Sequence, residues 1–153
     1  MRNVALGMIA VTLSGAFALA EDRAPIERAS VLREFCGEML ECSVYYRVAN
    51  QCFEDYPDPR ASKVASEYRA AVDRLTAVAL GIAYSIGQRE AALVSSTALI
   101  MKDQMAAINR SCINIPVLQQ RYAAFCQHLA QSPDDRFREL LVGKTCPGEY
   151  RCQ

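Results

Sequence analysis

Seven cysteines, none of them in a Cys-x-x-Cys pair, constrain this 153-residue chain more than any other feature. They follow a stretch that reads as an export signal: Met1-Arg2-Asn3 supplies a positive start, Val4 to Leu13 an apolar run, and Ala18-Leu19-Ala20 the small residues of a cleavage site. Cleavage is expected after Ala20, giving residues 1–20 as signal and 21–153 as a single helical domain. Cysteines in an exported chain act as disulfide staples, so the expected location is periplasmic or secreted.

Removing the signal takes one base, Arg2, and no acid, so 17 bases become 16 against 17 acids. A near-neutral chain is not expected to present a broad surface for nucleic acid or anionic membrane. No membrane span is expected after cleavage. Val78 to Ile100 is apolar, but Gly87 and the charged Arg89-Glu90 interrupt it and point to a buried hairpin.

Apolar residues recur at three and four, and no Asn-Gly or Asp-Gly hairpin turn occurs, so the expected fold is all-α. A first helix from about Ile26 to Glu54 carries Phe35, Met39, Cys42, Tyr46, Ala49 and Phe53 on one stripe, with Gly37 as a kink or break. Asp55-Tyr56-Pro57-Asp58-Pro59 is the turn, with Asp58 as N-cap and Pro59 opening a second helix to Ile86. Gly87 closes that helix. A third runs to about Arg110, a fourth from Ile115 to Gln131, and a short fifth from a Ser132 cap to Val142. The expectation is a disulfide-stapled bundle of four main helices, a short fifth helix and a C-terminal tail.

In an up-down bundle the cysteines become ruler marks. Cys52 and Cys112 fall at the end where the first helix stops and the fourth begins. Cys42 and Cys126 each lie ten residues from that end, about 15 Å at a rise of 1.5 Å per residue. The expected bridges are therefore Cys52 to Cys112 and Cys42 to Cys126, provided the first and fourth helices are neighbours. Cys36 takes Cys146 or Cys152, or those two close on each other and leave Cys36 free; the spacing leaves this open. An odd count leaves one thiol unpaired or available to join a second chain.

No constellation points to chemistry. His128 is the lone histidine, and two residues from Cys126 on a helix it faces about 200° away from it. Glu34, Glu38 and Glu41 share a helix face and read as solvated, as do Arg69, Arg74, Arg136 and Arg138. No catalytic, cofactor-binding or metal-binding residue is expected. Asn109-Arg110-Ser111 forms a glycosylation sequon. Tyr45 and Tyr46 are adjacent and read as unable both to face the core, so Tyr45 and the loop residue Tyr56 are expected at an interaction surface. The function expected is non-enzymatic: an exported helical protein that binds or inhibits another protein. The alternative is a small apolar-ligand binder or carrier in the cell envelope, its pocket between the second, third and fourth helices near Met101 and Met105.

Overall fold

The computed structural model describes residues 18–54 and 58–142, with side chains from Arg28 onward except Pro59. The remainder of the expected signal, the turn residue Tyr56, Cys146 and Cys152 lie outside the described residues. Among the described residues the fold is all-α: α1 (Ala18–Glu54), α2 (Pro59–Ser85), α3 (Glu90–Ala107), a 3-10 turn (Cys112–Asn114), α4 (Ile115–Gln131) and α5 (Pro133–Leu141). Two disulfides, Cys42–Cys126 and Cys52–Cys112, join α1 to α4 and to the turn before it. These are the two pairs expected from the cysteine levels.

α1 is the axis of the bundle, and α2, α3, α4 and α5 all pack on it. From Leu40 to Tyr46 every residue of α1 is buried, so burial there runs around the whole helix and not along one stripe. That overturns the expectation for Tyr45 and Tyr46. Tyr45 is fully buried and Tyr46 is 6% exposed, because neighbouring positions on a central helix meet different partners. Gly37 does not divide α1, which runs unbroken through it.

α2 lies antiparallel to α1. Its buried line is mostly alanine: Ala61, Ala65, Ala71, Ala79 and Ala83 around Leu75. Small side chains let the two helices approach closely, and the bulk that fills the space comes from α1, chiefly Met39 and Tyr45. The approach is near enough for the Cys36 thiol to donate to the Ala79 carbonyl at 3.5 Å.

The helix ends follow local chemistry. Asp58 Oδ1 accepts from the Arg60 amide at 2.8 Å and Pro59 follows in the first helical position. At the other end of α2, Gly87 takes φ +69°, the Gly87 amide donates to Tyr84 O and the Gln88 amide to Ala83 O. That paired arrangement closes the helix with a left-handed residue that glycine adopts without penalty. α3 ends the same way without glycine. Asn109 and Arg110, at φ 51° and 54°, turn the chain so that their amides reach Ala106 O and Met105 O, which is why α3 stops at Ala107 and not at Arg110. Asn114 Nδ2 then donates to the Ile108 carbonyl at 3.1 Å, helping to satisfy the end of α3. Ser132 occupies the cap position of α5, but its carbonyl rather than its hydroxyl receives the Asp135 and Arg136 amides.

α2 and α3 were expected to bury their connection as a hairpin. Each instead packs on α1, and a cleft opens between them; Val78, Tyr84, Val94 and Leu99 remain exposed.

Candidate functional site

Among the clefts along α1, two are the roomiest described, and the residues around them define what the surface can bind. The larger, about 420 Å³, has α1 as its floor at Leu40 and Ser43 and α2 and α3 as its walls at Leu80, Leu93, Val94 and Met101. Its lining arises from the helical repeat: Leu93, Thr97 and Met101 step by four along α3, and Thr76 and Leu80 by four along α2. Leu93 is buried and Val94 is 62% exposed, so the apolar wall continues from the core out to the solvent. The side chains of Arg47 and Glu90 also border the cleft, and both residues are exposed. The Thr76 hydroxyl in its wall is closed off from solvent and finds no hydrogen-bond partner. The cleft at Met101 lies between α1, α2 and α3 and not between the second, third and fourth helices, and Met105 does not line it.

The second cleft, about 330 Å³, lies between α1, α2 and α4 and is lined by Tyr45, Tyr46 and Tyr68 with Glu67, Arg74 and Gln127. Its rings form one cluster. Tyr46 and Tyr68 meet edge-on at 5.0 Å between centroids, Tyr45 lies 5.0 Å from Tyr46, and Tyr122 lies 5.8 Å from Tyr45. Burial raises the Tyr46 hydroxyl to about 12, helped by Tyr68 and opposed by Arg74. Tyr45, which has no hydrogen-bond partner at bonding distance, is raised further by burial and by Tyr68. Neither ionises near neutral pH, so these rings act as packing and stacking surfaces.

The acidic face of α1 does not point to solvent as expected. Glu34 is exposed, but Glu38 and Glu41 are 5% and 6% exposed. Glu38 is held by Arg136 of α5, which is also buried and not on a solvated face: Arg136 Nε donates to Glu38 Oε2 at 2.9 Å and its terminal nitrogen to Oε1 at 2.6 Å. Arg136 also donates to Glu139, and its guanidinium lies 5.7 Å from the Phe125 ring. The burial follows from α1 being covered by α5 at this level, where Phe35 and Phe137 also meet at 5.3 Å. The Glu38 carboxylate is committed to that pair, so the glutamates present no open acidic site. Arg69, Arg74 and Arg138 are exposed as expected, with Arg69 donating to Glu54. Hydrogen bonds from Asn50 and then Arg69 hold the Glu54 carboxyl below the usual carboxylate range.

Cys126 is locked in its bridge and His128 is exposed, so the two form no reactive pair. Cys36 is unbridged and 2% exposed, and burial raises its thiol above the ordinary range. It has no surface from which to join a second chain. Among the described residues no group of three or more histidine, cysteine and carboxylate side chains is placed to hold a metal ion, and no helix is long and apolar enough to cross a membrane. Asn109 of the sequon is exposed in its left-handed turn. No protein family, curated protein or solved structure matches the chain.

Proposed function

We propose that the protein is a non-enzymatic binding protein acting outside the cytoplasm, and that it holds a small apolar ligand in the cleft between α1, α2 and α3. The observation that carries this reading is the cleft itself: about 420 Å³, floored by Leu40 and walled by Leu80, Leu93, Val94 and Met101. Ligand sites typically enclose about 300–1,000 Å³ with mainly apolar walls and few polar groups. Met101 adds a flexible, polarizable side chain that adapts to different shapes. The two disulfides support a periplasmic or secreted location and keep the frame rigid.

Native mass spectrometry of protein purified without detergent tests the reading. A co-purified apolar molecule that is lost in Val94→Glu supports it. No adduct, together with no binding of a neutral apolar fluorophore, contradicts it.

Ile113 and Val117 favour a second reading, in which the ligand is another protein. They lie four residues apart beside the Cys52–Cys112 bridge, 88% and 48% exposed, on the rigid end of the bundle. Capture of a reproducible partner that Ile113→Asp releases would support it.

A further inference from the structure

The cleft is charged differently at its two ends. α3 runs alongside α1 in the same direction, since Gln104 Nε2 reaches the Glu41 carbonyl at 3.1 Å and Cys112, further on, bridges Cys52. Glu90 therefore marks one end of the cleft and Arg47, seven residues beyond Leu40 on α1, the other. Glu90 to Met101 spans eleven residues of helix, about 16 Å of wall at 1.5 Å per residue. Arg47 makes no ion pair with any described residue, and among the arginines it is the one that lines this cleft. An elongated apolar trough with an uncommitted guanidinium at one end and a carboxylate at the other selects an amphiphile with an anionic head, and orients it.

We propose that the cleft takes a free long-chain carboxylate, its alkyl chain laid along α3 over Leu80 and Leu93 and its head group paired with Arg47. This rests on the apolar-ligand reading of the same cleft and adds the head group to it. The pairing at Arg47 fixes which end of the chain lies there, and Glu90 offers the head group no partner at the other end. The planar guanidinium presents two parallel donors that match a carboxylate.

Calorimetric titration of the full oxidised chain with monomeric dodecanoate and with 1-dodecanol tests it. Dodecanoate is expected to bind roughly twofold to fivefold more tightly than the alcohol, the range of an exposed charged pair. Arg47→Gln should remove that difference and leave the affinity for dodecanol unchanged. Equal affinities in the unaltered chain would overturn the head-group assignment while leaving the apolar cleft in place. Binding of neither probe would overturn both. Retention on phosphatidylglycerol vesicles without binding of monomeric dodecanoate would overturn the proposal in favour of a membrane surface.

Discussion

Glu38 and Arg136, 98 residues apart in sequence, form a doubly hydrogen-bonded ion pair at 2.9 and 2.6 Å with only 6% and 1% of their side chains exposed. It fastens the last helix to the central one. Breaking a buried pair by removing one partner costs about 3–5 kcal/mol, less for loss of Glu38, because Arg136 keeps its hydrogen bond to Glu139. Removing both leaves no orphan. Arg136→Met and Glu38→Leu should therefore each lower the urea midpoint, the first more strongly, and the double variant should be less destabilised than the sum of the two. Strict additivity would show that the pair carries no coupling.

The two bridges close loops of 84 and 60 residues, each stabilising by about 4 kcal/mol in the chain-entropy account. They differ in access: Cys42 and Cys126 are fully buried, while Cys112 is exposed. Timed reduction followed by alkylation should open Cys52–Cys112 first. Simultaneous loss of both would contradict the placement of the second bridge inside the core.

Some of the architecture was legible from short stretches of chain. Asp58-Pro59 and Gly87 mark helix ends through chemistry confined to a few residues. The cysteine levels needed only helix lengths and one neighbour relation. The all-round burial of α1 was not legible, because Glu38, Glu41 and Ser43 look polar and solvated until the elements covering them are known. The same blindness displaced the pocket: Met101 was singled out, but the wall facing it, Leu80 of α2 above a floor of Leu40, follows from α1 lying between α2 and α3.

Gly87 and Gly37 should respond oppositely to alanine. Gly87 holds φ +69°, so Gly87→Ala is expected to destabilise by about 1–2 kcal/mol through backbone strain alone, since nothing lies within 4 Å of the new methyl. Gly37 is exposed within α1 with equally open space, and Gly37→Ala should stabilise by roughly 0.5–1 kcal/mol. Thermal unfolding of the two variants checks both signs.

Alkaline pH should weaken the fold. Tyr45 and Tyr46 are raised above the ordinary value of 10.0, Tyr46 to about 12, and Cys36 above 9.0. Groups raised on folding contribute stability that is complete below their unfolded values and is lost as pH climbs toward the folded ones. The urea midpoint should hold to about pH 9 and then fall through pH 12. Tyr45→Phe should change little at pH 7, because its hydroxyl has no partner to lose, and should flatten the alkaline decline. A midpoint unchanged between pH 8 and 11 would contradict the burial of these groups.

The central claim, that the cleft beside α3 is the ligand site, is tested most directly by methyl NMR during titration with a neutral apolar probe. Shifts are expected at Leu40, Leu80, Leu93 and Met101, which line the cleft from all three helices. Shifts confined to Ala123 and Val64, which line the tyrosine cleft on the other side, or no shifts at all, would contradict it.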